Sequence, residues 1–279
     1  SLKCLIWLNK WSDYYRYITG KASIGYIINK SHSFNNFKSN FFYTKKYFFI
    51  CCYFNKNIIK CFHTGGGVKL RSWQRIGPHN IDVLSVLIGS ILGNSQLEKR
   101  NKGQGTRVIF EQYQSNVEYL MWFHKLFSIR GYCSPNKPKL TTTIKNNNKV
   151  LYRYRVSSYT FTSLNWLHGM FYKDKIKIIP YNISDYLTPL VLAIWFMDDG
   201  YRQGKVAKIA INCFTKTELN HLCLILKTKF DLDTSIHNAG NSKGVVIYIK
   251  SNSMLTFTNI IKPHMLPSLY YKLGHHKFI

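Results

Sequence analysis

Acidic residues are scarce: 12 Asp+Glu stand against 39 Lys+Arg in 279 residues, which leaves a formal charge of +27. A soluble domain that carries this much self-repulsion needs a polyanion, and the common polyanions are nucleic acids and anionic membranes. Long apolar runs are also missing. A spanning helix needs about 18 apolar residues; the longest stretch, Tyr47 to Phe54, follows Lys45-Lys46 and stops after eight. No Cys-x-x-Cys pair exists, and the seven cysteines are odd in number. That pattern excludes a zinc ribbon and a secreted disulfide frame, and points to a reducing compartment. Cys61-Phe62-His63 has no matching pair at ligand spacing and is read as chance. What is abundant is core material, with 46% apolar and 16% aromatic residues, which excludes a wholly disordered chain.

The first 79 residues differ from the rest. They carry ten Lys and three Arg against a single acid, Asp13, are rich in Ser, Asn, Tyr and Phe, and pass through Thr64-Gly65-Gly66-Gly67, which reads as a flexible joint. Two readings stand side by side. One is an organelle targeting segment or unfolded basic tail. The other is a nucleic-acid-binding extension whose aromatics stack and whose lysines meet phosphates.

From residue 80 onward the periodicities become regular. A helix is expected over Ile81–Leu92, capped by His79-Asn80, then a strand over Thr106–Gln114 and a helix over Asn116–Ile129 with Val117, Leu120, Phe123, Leu126 and Phe127 on one face. Lys139–Lys145 and Leu151–Ser157 read as a hairpin, and Thr160–Phe171 as a helix. The order then repeats. Thr188-Pro189 opens a helix to Met197, Lys205–Asn212 alternates, and Thr215–Phe230 is a helix with a Thr215/Glu218 capping box. Thr234–His237 with Val245–Ile249 forms a second hairpin, and Ser251–Ile261 a last helix. One α+β unit is written twice, giving expected halves at 80–180 and 181–279.

The string Leu192-Ala193-Ile194-Trp195-Phe196-Met197-Asp198-Asp199-Gly200 ends an apolar helix with two acids. Carboxylates at a helix C-terminus oppose the dipole, and a divalent metal beside them would explain the placement; Asp-Asp-Gly is equally compatible with a plain turn. Preceded by Tyr186-Leu187-Thr188-Pro189-Leu190, this string resembles the second motif of the LAGLIDADG homing endonucleases, in their single-chain, two-motif branch. Ile179-Pro180, Phe214-Thr215, Glu218-Leu219, Ile247-Tyr248-Ile249, Ile261-Lys262-Pro263 and Tyr271-Lys272-Leu273 are similar to the same branch, and Ile88-Gly89-Ser90-Ile91-Leu92-Gly93-Asn94 resembles the first motif. The resemblance covers roughly residues 80 to 275.

The resemblance implies two pseudo-symmetric αββαββα units packed through their motif helices, with small residues such as Gly89 and Ala193 at the contact and curved antiparallel sheets forming a saddle. It implies cleavage of long DNA sites with Mg²⁺ held by one carboxylate from each motif helix. Those positions are Asp199 and Asn94 here, so the chain departs from the pattern at the first. An amide is a weak ligand for a hard cation, and losing one of two charges near a scissile phosphate costs orders of magnitude in rate. Lys177 and Lys272 match positions whose lysines flank the active site.

The binding surface has a reading of its own. Arg153 and Arg155 share one strand face opposite Tyr152, Tyr154 and Val156, and Lys208 and Asn212 share another opposite Ile209 and Ile211. Arg107, Lys139, Lys145, Lys205, Lys243 and Lys250 add positive charge, so a phosphate-binding saddle is expected. The expected function is a nucleic-acid binder with cleavage lost or weakened, acting on structured RNA in the mitochondrial matrix as an intron maturase or a ribosomal RNA-binding component, as a monomer by itself and possible partner in a ribonucleoprotein. The alternative is an active Mg²⁺-dependent endonuclease that cuts or nicks duplex DNA. A membrane-surface role has no long amphipathic basic helix behind it.

Overall fold

The structure, a computed structural model, describes residues 70–75, 79–99, 104–144, 150–211, 214–238 and 244–274. The segment expected to be a tail, targeting peptide or extension therefore lies almost wholly outside the described residues, as do Lys145, Asn212 and Lys243.

The first half runs α1 (Ile81–Leu92), β1 (Gln96–Lys99), β2 (Thr106–Tyr113), α2 (Val117–Ile129), β3 (Leu140–Ile144), β4 (Val150–Ser157) and α3 (Asn165–Phe171). A small hairpin, β5 (Tyr172–Lys173) with β6 (Ile176–Lys177), and the short α4 (Ile183–Tyr186) lead to the second half. That half is α5 (Pro189–Asp199), β7 (Gly200–Gln203), β8 (Val206–Ile211), α6 (Lys216–Phe230), β9 (Thr234–Asn238), β10 (Val245–Ile249) and α7 (Met254–Ile261). The two antiparallel sheets have the same strand order, β1-β2-β4-β3 and β7-β8-β10-β9. The αββαββα repeat is thus present in both halves.

Three expectations are corrected. The strands β1 and β7, directly after the motif helices, carry no alternation long enough to read; Gln-Leu-Glu-Lys offers one buried side chain in four and Gly-Tyr-Arg-Gln opens on glycine. The helix expected from Thr160 begins only at Asn165, after a 3-10 turn at Thr162–Leu164. Asn80 makes no side-chain cap, and His79 is no cap either: it is buried, with Nδ1 2.7 Å from the Tyr132 hydroxyl and Nε2 3.0 Å from Ser163 Oγ.

The helices α1 and α5 are apolar nearly all round, the signature of a helix enclosed on every side, and Val83–Leu92 and Val191–Asp198 are indeed buried without interruption. They pack on one another at the centre of the molecule. A Cβ at Gly89 would lie 2.7 Å from both Ile194 Cβ and the Val191 carbonyl oxygen, so only glycine admits this approach. The Thr188 hydroxyl, which caps α5 by accepting from the Val191 N–H, also donates to Ser85 of α1 at 3.3 Å. Each sheet covers one flank of this pair. In the first half the inner face is aromatic, with Phe110, Phe123 and Phe127 stacked at 4.1 and 4.2 Å. In the second it is aliphatic, with Ala207, Ile209, Ile247 and Ile249 fully buried. The Thr215/Glu218 capping box forms as expected, and Glu218 also accepts from the Ile179 N–H at 2.8 Å, tying the connection between halves to the start of α6.

Two outcomes follow from this packing. Gly89→Val overpacks the helix contact and should lower unfolding free energy by about 2–3 kcal/mol in urea titration, with Ser90→Ala as a milder reference. Burial lowers the His79 pKa from 6.5 to about 4, so the unfolded chain binds the extra proton between those values. Stability should therefore fall as pH drops from 6.5 toward 4, by up to about 3 kcal/mol, and His79→Gln should flatten that slope.

Candidate active site and nucleic-acid interface

The two motif helices end side by side. Position for position, Gly93 and Asn94 at the end of α1 correspond to Asp198 and Asp199 at the end of α5, as Gly89 corresponds to Ile194. Asn94 is exposed and Asp199 half-buried, and the Asn94 amide lies close enough to the Asp199 carboxylate to favour its charged form. The two positions are therefore brought together, one as acid and one as amide. Burial raises the Asp199 pKa from 3.8 to about 6, against the opposing pull of the Lys177 and Lys272 charges.

The two lysines take equivalent places. Lys177, on β6, donates from Nζ to the Gly93 carbonyl at 3.0 Å. Lys272 donates to the carbonyls of Met197 at 2.6 Å and Asp198 at 3.2 Å. Each caps the C-terminus of its own half's motif helix, where cations are favoured by the helix dipole. Burial lowers the Lys272 pKa, while Asp198 and Asp199 support its charge.

Asp198 has the role that sequence reasoning missed. It is 9% exposed and sits against Gly93, where a Cβ would come within 2.6 Å of its own Cβ and Oδ2. Gln112 of β2 donates to its Oδ1 at 3.0 Å, and Asn116 supports Gln112 at 3.4 Å. Oδ2 and the nearby Tyr119 hydroxyl each stop short of a fully formed hydrogen bond. Burial first, and the Asp199 charge second, push the Asp198 pKa well above the usual carboxylate range. Asp198 is therefore a buried bridge from the second half into the first. The available signal was Gln112, a polar residue on the inward phase of β2 between Phe110 and the helices.

Two carboxylates and a divalent ion are what the family resemblance implies, and the donors can be tested against it. Among the described residues no three His, Cys, Asp or Glu side chains converge as a metal site. The mouth of the site offers one carboxylate, an amide beside it, and two ammonium groups that engage the helix-end carbonyls. One carboxylate and one amide facing two ammonium groups do not fit a hard dication, so no reaction step is derived through one.

The sheets bring the basic side chains to the expected face but not in the expected state. Cross-strand register sets Glu98 opposite Arg107, Glu111 opposite Arg155 and Tyr113 opposite Arg153, all on the face turned away from the helices. Arg107 pairs with Glu98 at 2.6 Å, and Glu111 lies 3.8 Å from Arg153 and 3.5 Å from Arg155. Arg153 also stacks on Tyr113 at 4.9 Å. Lys208 is only 9% exposed and lies over the Tyr248 ring at 4.2 Å. Arg155, on the interior strand β4, stays exposed beside Glu111, and the other exposed cations expected for this surface lie at the rim: Lys139 just before β3, Lys205 in the β7–β8 turn and Lys250 just after β10. On the first sheet three arginines share two glutamates, so the expected basic strand face is present but largely ion-paired. No helix among the described residues is long and apolar enough to cross a membrane.

Residues 84–257 match the LAGLIDADG DNA endonuclease family, more than half of the chain. The chain belongs to that family. Among relatives of this LAGLIDADG protein are two proteins named cytochrome b mRNA maturase bI2. That of Debaryomyces hansenii is 39% identical over 199 residues, 71% of this chain and 76% of the relative. That of Saccharomyces cerevisiae is 38% identical over 211 residues, 73% of this chain but only 50% of the relative, so the chain spans half of that protein's length. The intron-encoded endonuclease ai4 of Dictyostelium discoideum is 39% identical over 155 residues, 54% of this chain and 98% of the relative. Among solved structures, the homing endonuclease I-WcaI bound to its DNA recognition sequence superposes with a TM-score of 0.67, at 24% identity, over 80% of this chain and 94% of that one. This likeness establishes the LAGLIDADG two-unit fold.

Because Asp199 is held above its unfolded pKa, its ionised form costs stability at neutral pH and its protonated form does not. Asp199→Asn should raise unfolding free energy at pH 7.5 by roughly 1–3 kcal/mol, with the gain vanishing by pH 4 in paired thermal melts.

Proposed function

We propose that this chain is an intron maturase: a LAGLIDADG protein that binds structured RNA and has lost double-strand DNA cleavage. The observation that carries the reading is the carboxylate at the mouth of the helix pair, Asp199, set beside the amide of Asn94 and faced by Lys177 and Lys272. Cleaving both strands of a duplex asks for charge stabilisation at two phosphates, and half of the family's acid pair is an amide here. The relatives named as cytochrome b mRNA maturases support RNA as the working ligand and make a maturase a better assignment than a ribosomal component. They also support assignment to mitochondria, with the matrix as the site of action and intron RNA as the partner in a ribonucleoprotein. Net charge of +27 supplies the long-range attraction. Mg²⁺ then serves RNA folding rather than a protein-bound catalytic centre.

The endonuclease reading is favoured by relatives named as endonucleases, the intron-encoded endonuclease ai4 among them. A single assay pair separates the two. The full chain is incubated with its host intron RNA and, separately, with duplex DNA that spans the intron's insertion site. Splicing or tight RNA binding, intact DNA, and unchanged RNA activity in Asp199→Asn are expected. Mg²⁺-dependent DNA cleavage abolished by Asp199→Asn would replace the maturase reading with the endonuclease.

A further inference from the structure

The two sheets share a topology but not a surface. In the second half, cross-strand register aligns Tyr201 of β7, Lys208 of β8, Tyr248 of β10 and Ser235 of β9 in one row across all four strands. Residues flanking the row along β8 and β10, including Ala207, Ile209, Ile247 and Ile249, are fully buried on the inner side, so the row stands on the outer face. Tyr201 is 41% exposed and Tyr248 partly so. Between them the Lys208 stem is buried, and its ammonium sits over the Tyr248 ring, which fixes the ring's tilt from one side. The exposed His237 ring lies 4.3 Å from Tyr248, tilted by 52°, and is itself held by Ser235 Oγ at 2.8 Å from Nε2.

The matching row of the first half is Gln96, Ile109 and Ser157, with no aromatic side chain. The arginines on that face are engaged by Glu98 and Glu111. The second sheet therefore presents exposed aromatic rings, Tyr201 and His237 with the partly exposed Tyr248, whose neighbours hold them before any ligand arrives, and among the described residues its exposed lysines lie at its edge. Lys205 and Lys250 both lie at the end of the sheet formed by the β7–β8 turn, within a few residues of the row. Ring faces in the middle and phosphate partners at one end suit a strand whose bases are unpaired; a duplex keeps its bases stacked on each other and offers no free face.

We propose that the row Tyr201–Lys208–Tyr248, with His237, is a stacking platform for unpaired bases of RNA, so that the second half takes a single-stranded segment of the RNA. This rests on the RNA-binding reading above and names the part of the RNA that reaches this sheet.

The test uses the full chain and two probes, an unstructured oligouridylate of about 12 nucleotides and a blunt RNA duplex of similar charge. Tyr201→Ala and Tyr248→Ala should each weaken oligouridylate binding by about 10- to 100-fold and leave duplex binding unchanged. Tyr248→Trp should retain it, and Tyr113→Ala on the other sheet should not matter. Thermal melts separate a folding defect in Tyr248→Ala, whereas exposed Tyr201 can be changed without touching the core. Oligouridylate binding that is unaltered in a folded Tyr201→Ala protein, or lost equally with the duplex, overturns the platform while leaving RNA binding standing. A wild-type chain that binds DNA and neither RNA overturns the RNA-binding reading as well.

Discussion

Everything in this molecule is arranged around the distance between two buried helices. The contact of Gly89 with Ile194 and Val191 sets how closely α1 and α5 approach, and that approach places their C-terminal ends side by side. The sheets are hung from those ends, since β1 and β7 follow the helices almost without a connecting loop. Shape at the nucleic-acid surface is therefore a readout of a steric fact in the core. The closeness also has an electrostatic cost. It buries Asp198, raises the pKa of Asp199, and brings two lysines onto the helix-end carbonyls to compensate.

Much of this order could be read from the chain, and the failures have physical causes. The long elements announced themselves because each has one face in a core and one in water, so α2, α6, β2 and β8 appear within a residue or two of the expected bounds. The strands β1 and β7 were invisible because they pair at the sheet edge and bury too few side chains to leave a pattern. Asp199, Asn94, Lys177 and Lys272 were legible through motif position, and they do meet in space. The state of the saddle arginines was not legible. Register decides whether a glutamate lies opposite an arginine, and sequence spacing alone does not fix the register between strands separated by a loop.

Charge therefore divides by scale. The excess of positive residues acts at long range, where only the total matters, and draws the protein to a polyanion. At contact distance the arginines of the first sheet share two glutamates, which weakens the indiscriminate grip that bare arginines would exert.

The pairing of Gly93 with Asp198 has a consequence for how such a protein arises. The two residues stand at the same position of related helices, and each needs the other: the acid fits only where its counterpart has no side chain. The same is true of Gly89 and Ile194. Two copies of the first half would meet as glycine against glycine and leave a void. Two copies of the second would drive isoleucine into isoleucine and bury two carboxyls against each other. The halves have become lock and key, each unable to mate with its own kind, and any drift in one must be answered in the other.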